Sequence, residues 1–119
     1  MKDFKKAAQA VQNGSFILDG KEKIDTALLI ATYPDGVTIN GADLLQGDNG
    51  LYAACTFTED TSKYFFGGKM ITDIVKEWSE GYEDLEVMSK DLAAAGGVKV
   101  KLAKTRTKTG RDFVTVTIL

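Results

Sequence analysis

Residues 98–119 carry the pattern that most constrains the fold of this chain. Apolar side chains recur at alternate positions in two segments, Val98–Lys108 and Asp112–Leu119, with Thr109-Gly110 between them. A period of two is typical of a strand with one buried face, and a glycine in a two-residue loop is typical of a β-hairpin. The sequence therefore predicts a C-terminal antiparallel hairpin.

The phase of this alternation is inconsistent along the first strand. Three apolar and then three basic residues occupy successive even positions: Val98, Val100 and Leu102, then Lys104, Arg106 and Lys108. A strand buries the first set and exposes the second only if an extra residue shifts its phase, so we expect a β-bulge near Ala103–Lys104. The expected cross-strand pairs are then Thr105 with Val114, Leu102 with Val116, and Val100 with Ile118.

Such a bulge would place the basic side chains of the hairpin on one face with an aromatic ring and two hydroxyls. These residues are Lys99, Lys101, Lys104, Arg106, Lys108, Arg111, Phe113, Thr115 and Thr117. Residues 98–119 hold six basic side chains and one acid, a net charge of +5, whereas the rest holds 9 basic and 16 acidic groups, a net charge of −7. Because cations contact phosphates and aromatic rings stack on bases, we predict a site for single-stranded nucleic acid. Alternatively, the basic residues only keep an edge strand soluble.

The other segments predict one α+β domain that is mainly antiparallel β, with two or three helices. The domain, 1–119, divides into an N-terminal helix at 1–13 and a β-rich body at 15–119, with helices near 69–80 and 83–95. The segment Ile24–Ala31 fits either a strand or a helix. Contiguous strands followed by helices favour an α+β fold or a small barrel over a parallel sheet.

The C-terminal half also carries a family resemblance. An aromatic strand, Tyr64-Phe65-Phe66-Gly67-Gly68, leads into the helix Met70–Trp78, and the basic strand Val98–Lys108 and the Val/Thr-rich segment Gly110–Thr117 follow. This succession resembles bacterial-type single-stranded DNA-binding proteins of the OB-fold. The resemblance implies an OB-like small barrel that binds single-stranded DNA. A small acidic chain with a helix ending in Lys76-Glu77-Trp78 also resembles proteins of Gram-positive phages and mobile elements.

One further aromatic residue is a candidate for base stacking. Ala53, Cys55 and Phe57 alternate on one side of a predicted strand, which makes Cys55 a core residue. Tyr52 then faces outward, where its ring either stacks on a base or simply covers the sheet.

Several catalytic chemistries are excluded. The chain has no histidine, so it lacks Ser-His-Asp and Cys-His nucleophile systems and the ligands of nearly all common zinc sites. Gly67-Gly68-Lys69 is interpreted as a strand-to-helix turn, because Met70 stands where a P-loop requires Ser or Thr. We therefore expect a non-catalytic protein without a cofactor or a metal.

The cellular setting is expected to be the cytoplasm. A single cysteine suits a reducing compartment, and the charged residues after Met1 predict no secretory signal. No apolar stretch is long enough to predict a membrane span. The expected partner is a single-stranded nucleic acid, with DNA favoured over RNA. The alternative is a protein–protein or self-assembly module of a phage or mobile element, in which the basic hairpin contacts an acidic protein partner or the acidic body of another copy.

Overall fold

The computed structural model describes residues 17–18, 20–48, 50–106, 110 and 112–119, and the predicted helix at 1–13 lies outside them. The strands are β1 (Glu22–Lys23), β2 (Val37–Gly47), β3 (Gly50–Phe57), β4 (Lys63–Phe66), β5 (Val98–Arg106) and β6 (Asp112–Ile118). The helices of the described part are α1 (Thr26–Thr32), α2 (Lys69–Ser79) and α3 (Leu85–Ala94). The helices predicted near 69–80 and 83–95 are thereby confirmed.

The strands form a single six-stranded sheet in the order β1-β4-β3-β2-β5-β6. β1 runs parallel to β4, and every other neighbouring pair is antiparallel. The predicted class, α+β with a mainly antiparallel sheet, is confirmed. The sheet is open between its edge strands β1 and β6, however, so the expected closure into a small barrel is wrong for the described residues.

Helix α2 explains how the sheet remains open without exposing its core. It packs against β2, β3 and β6, and so spans from the middle of the sheet to one edge strand. At its start, a Cβ atom built on Gly68 would lie only 3.7 Å from the Cβ of Val114 in β6. The hairpin therefore curls towards the β4–α2 junction, and side-chain packing replaces the hydrogen bonds of a closed barrel.

The ambiguous segment Ile24–Ala31 contributes most of helix α1. Asp25 precedes this helix in an extended conformation, and Leu29 is its buried residue. The hydroxyl of Thr26 donates to the carbonyl of Phe66 at 3.3 Å, which ties the start of α1 to the end of β4. Helix α1 ends before Pro34, whose ring disfavours helical geometry in the preceding residue.

The core lies between the inner face of the sheet and the helices. Phe57 and Phe65 are fully buried side by side, with ring centroids 5.9 Å apart. Ile71 and Val75 of α2 and Met88 of α3 belong to the same buried cluster. The apolar stripes seen in the sequence are therefore the faces that α2 and α3 turn towards the sheet.

The strand β2 contains a bulge at Asn40. Ile39 pairs with Phe57, but the next partners are Gly41 and Thr56, so one extra residue enters β2 there. The bulge shifts the phase of β2, because Val37 and Ile39 are buried before it, and Ala42 is buried after it.

A serine of α3 forms hydrogen bonds with the backbone of β2 beyond the end of the pairing between β2 and β5. Within β2, only Val37–Ile39 pair with β5. Further along this edge, the hydroxyl of Ser89 accepts from the N–H of Ala42 at 3.0 Å and donates to the carbonyl of Ala42 at 2.9 Å. Both bonds are buried, so Ser89 replaces the missing neighbouring strand and holds α3 against the sheet.

Replacing Ser89 by alanine should lower the free energy of unfolding by about 1 to 3 kcal/mol, because the buried N–H and C=O of Ala42 would lose their partner. Urea denaturation of both proteins measures the difference. Ser79→Ala is the control, since the Ser79 hydroxyl bonds a carbonyl at the exposed end of α2 and its loss should change stability by about 0.5 kcal/mol or less. Equal effects of the two variants would contradict this role for Ser89.

Candidate nucleic-acid interface

The β5–β6 hairpin is regular along its described length. The pairs Val100–Ile118 and Leu102–Val116 agree with the sequence-based register. Lys104, however, pairs with Val114, and Thr105 pairs with Phe113, so the ladder has no bulge near Ala103–Lys104. The predicted bulge and the predicted pairing of Thr105 with Val114 are therefore wrong.

The regular ladder divides the predicted basic residues between two faces. Val100 and Leu102 lie on the core face, and alternation places Lys104 and Arg106 on that same face further along β5. These two side chains are nevertheless exposed, because the hairpin extends beyond Val37, the first residue of β2. This end of the hairpin faces solvent on its core side as well, so Lys104 and Arg106 are exposed without a phase shift in β5.

The opposite face of the hairpin, the outward face, carries the other predicted contacts. It consists of Lys99, Lys101, Ala103 and Thr105 on β5 and Phe113, Thr115 and Thr117 on β6. Lys99, Lys101 and Thr117 are exposed, and Phe113 is half-buried. Lys99 and Lys101 are about 6.8 Å apart along the strand, since each residue of an antiparallel strand advances it by about 3.4 Å. The outward face thus combines two cations, the exposed hydroxyl of Thr117 and an aromatic ring.

Two hydroxyls of the outward face donate within the hairpin. The hydroxyl of Thr105 donates to the carbonyl of Phe113, and that of Thr115 donates to the carbonyl of Ala103, each at 3.3 Å. A phosphate would therefore receive contacts from the lysines and from Thr117, while Thr115 acts in the hairpin's own structure.

An acid borders the outward face on the side of β2. The carboxylate of Glu59 accepts from the N–H of Thr38 at 2.7 Å and from its hydroxyl at 3.1 Å. Partial burial acts to raise the pKa of Glu59, but these hydrogen bonds and one from Thr58 outweigh it and hold the pKa below its usual value. Thr38 is the cross-strand partner of Lys99. The negative charge of Glu59 therefore marks the boundary of the basic surface beside Lys99.

Tyr52 faces outward as predicted, but it lies away from the hairpin. Strand β2 separates β3 from β5, and the Tyr52 ring meets Phe66 edge-to-face with centroids 5.1 Å apart. Tyr64 lies 5.5 Å from the same Phe66 ring, and the ammonium of Lys23 lies 4.8 Å above it. Phe66 and Tyr64 were not among the predicted site residues, although alternation around the buried Phe65 gave the signal that they face outward.

The remaining candidates are resolved by burial or lie outside the described residues. Lys108 and Arg111 belong to the undescribed positions of the hairpin. Cys55 is fully buried, as predicted, and desolvation raises the pKa of its thiol to about 12. A thiol in that state is not a nucleophile at neutral pH.

Within the described part of the chain, no three potential ligands among His, Cys, Asp and Glu converge on a common metal position. Its helices are all too short or too polar to traverse a bilayer.

No family model, curated protein or solved structure matches the chain. The chemistry of its surfaces must therefore carry any functional conclusion.

Proposed function

We propose that this protein binds single-stranded DNA without catalysis, through the outward face of the β5–β6 hairpin. The observation that supports it is the placement of exposed Lys99 and Lys101 on one strand face with Phe113. Two cations follow a phosphate backbone, and a nearby ring offers a stacking surface for a base. The remainder of the chain is acidic, so long-range electrostatic attraction directs a DNA strand to this end of the molecule first.

Lys104 and Arg106 add a second row of cations on the other face of the same hairpin. Their exposed side chains lie beyond the end of β2, and the net charge of residues 98–119 is +5. A single strand that wraps the hairpin would meet cations on both faces. The resemblance of the sequence to bacterial-type single-stranded DNA-binding proteins of the OB-fold is consistent with this proposal, and we place the protein in the cytoplasm.

The test is fluorescence anisotropy with a labelled dT oligomer of about 30 nucleotides, at two salt concentrations and with duplex DNA as a competitor. Lys101→Glu should weaken binding about tenfold at low salt, and the slope of log affinity against log salt should fall by about 0.7 or more, because a counterion-releasing contact is lost. Phe113→Ala should weaken binding by about 1 to 3 kcal/mol with little change of slope, because a stacking contact carries no charge.

The control is Lys90→Glu, which makes the same charge change on an exposed residue of α3. It should leave the affinity within about twofold of the unmodified protein. Failure of dT to bind at low salt would refute the proposal, and so would an equal loss in the Lys90 and Lys101 variants, since net charge alone would then explain binding.

Self-assembly is the second candidate, and it is favoured by the side of β6 that has no neighbouring strand among the described residues. β6 is an edge strand, and the side chains at its end, Ile118 and Leu119, are 54% and 60% exposed. An edge strand with apolar ends can pair with another chain. Light scattering without nucleic acid, at low and high salt, would reveal oligomers if this surface is the functional one.

A further inference from the structure

A cleft of about 500 Å³ opens between the start of β3 and the first eight residues of α2. Its walls include Leu51 and Tyr52 on the β3 side and Gly68, Lys69 and Lys76 on the α2 side. The volume is within the range of small-ligand sites, which are typically about 300 to 1,000 Å³. The sequence-based prediction of the site contained Tyr52 but neither of these lysines.

The backbone of β3 is open towards this cleft. β4 ends at Phe66, whose partner in β3 is Ala54. The N–H of Gly67 donates to the carbonyl of Ala53 at 2.8 Å, and the N–H of Ala53 donates to the hydroxyl of Thr72 at 3.1 Å. Backbone groups two residues apart on a strand point the same way, so the N–H and C=O of Leu51 point past the end of β4 into the cleft.

The α2 side of the cleft is cationic. Lys69, Asp73 and Lys76 are spaced by four and three residues, so they lie along one face of α2. The ammonium of Lys69 contacts the carboxylate of Asp73 at 3.1 Å, but both side chains are more than half exposed, at 76% and 53%. An ion pair this exposed is weak and exchanges readily, which leaves the cleft with a net charge of +1 available to an anion.

The cleft also adjoins the hairpin. Gly68 lies against Val114, and the cross-strand partner of Val114 is Lys104. The core-face cations of β5, Lys104 and Arg106, therefore project on the same side of the molecule as the cleft. Lys99 and Lys101 lie on the opposite face of the hairpin. A DNA strand bound to the hairpin reaches the cleft by passing over the contact between Gly68 and Val114.

We propose that the cleft binds one nucleotide of the bound strand, with its phosphate at Lys69 and Lys76, its base against Tyr52, and the base edge on the backbone of Leu51. This inference rests on the proposed binding of single-stranded DNA and adds a second subsite to it. A nucleotide is the ligand class that uses all three features, since it combines an anion, a planar ring, and donors and acceptors on the ring edge. An anion without a ring would leave Tyr52 unused.

The first experiment is photo-cross-linking with a dT oligomer of about 12 nucleotides that carries 5-iodouracil at one position, followed by mass spectrometry of the peptides. A cross-link to Tyr52 supports the proposal, because this base couples to aromatic rings on which it stacks. Cross-links confined to Phe113 would refute the cleft and leave the proposed function intact. Failure of the oligomer to bind in anisotropy would instead refute the proposed function itself.

The second experiment compares Lys76→Glu with Lys90→Glu in the same anisotropy assay. We expect Lys76→Glu to weaken binding of the 12-nucleotide dT about fivefold to tenfold and to reduce the salt slope by about 0.7 or more, as the loss of one phosphate contact requires. Lys90→Glu, outside the cleft, should change neither by more than about twofold. If Lys76→Glu and Lys90→Glu behave alike while Lys101→Glu weakens binding about tenfold, the hairpin binds the DNA strand and the cleft does not.

A conservative pair of variants separates stacking from folding. Tyr52→Phe keeps the ring and its contact with Phe66, so it should bind as the unmodified protein does. Tyr52→Leu keeps an apolar side chain but removes the ring, and we expect a loss of about fivefold or more with an unchanged salt slope. Equal affinity of these two variants, both checked for folding by thermal melting, would overturn the assignment of Tyr52 as a stacking residue.

Discussion

Replacing Gly97 by alanine is expected to lower the free energy of unfolding by about 3 to 5 kcal/mol, from backbone strain and overpacking together. Gly97 connects α3 to β5 with a φ angle of +74°, a conformation that disfavours residues with a Cβ atom. A Cβ atom there would also lie 2.7 Å from the carbonyl oxygen of Ile39 and 2.7 Å from Cγ2 of Thr38. The oxygen belongs to the β2 backbone, so relief of the contact would shift β5 against β2.

The neighbouring glycine provides the matched control. Gly96 has a φ angle of +90°, but a Cβ atom built on it meets nothing within 4 Å. Gly96→Ala should therefore cost only the strain of the left-handed conformation, about 1 to 2 kcal/mol. Urea denaturation of the two variants measures the difference, which is the cost of the close approach to β2. Equal stability of the Gly97 and Gly96 variants would contradict a close contact between Gly97 and the backbone of β2.

Phe57→Ala is expected to destabilise the protein by about 3 to 5 kcal/mol, because it removes a large side chain from the middle of the core. Phe57 has no exposed surface, and its ring packs edge-on against Tyr33 at 5.7 Å and beside Phe65 at 5.9 Å. It also pairs with Ile39, next to the bulge in β2. Its loss leaves a cavity that three separate elements border.

Leu28→Ala is the control for this truncation. Leu28 lies on α1, and 58% of its surface is exposed, so truncating it should change stability by about 0.5 kcal/mol or less. Thermal and urea denaturation of both variants give the comparison. A small effect of Phe57→Ala would mean that the neighbouring rings close over the space, in contradiction to a tightly packed core.

Local patterns in the sequence predicted the elements whose neighbours are close in the chain. The apolar stripes predicted α2 and α3, and alternation around Cys55 correctly placed Phe57 in the core. The helix and core inferences need only the periodicity of one segment. The pairing of Leu102 with Val116 was also predicted, but from a loop register that is one residue off and an assumed bulge that shifts the register by one residue.

The predicted bulge in β5 failed because the sequence does not show where the core ends. The inference assumed that the face carrying Val100 is buried along the whole strand, so Lys104 required a phase shift. In the structure β2 begins at Val37, the partner of Val100, and the rest of that face projects beyond it. The described sheet has its bulge in β2 instead, at Asn40, where the alternation of apolar and polar residues gave no sign of a phase shift.

The cleft was equally inaccessible to sequence patterns. Tyr52 and Lys76 lie on a strand and a helix with another strand between them, and neither segment shows that the other is near. The small strand β1 was missed for a similar reason, since its two residues form a strand only through parallel pairing with β4.

The narrow contact between β2 and β5 has a consequence for the order of folding. β2–β3 and β5–β6 are each hairpins with short loops, so they form from local contacts, whereas β2 and β5 meet through three pairs about 60 residues apart in the chain. Closing that long loop costs entropy before the three pairs repay it, and such non-local steps set the folding rate of small domains. Lys99 is one member of those pairs. We therefore expect the outward face to take its final position beside β2 at this late closure, which would couple the maturation of the proposed binding surface to a slow step of folding.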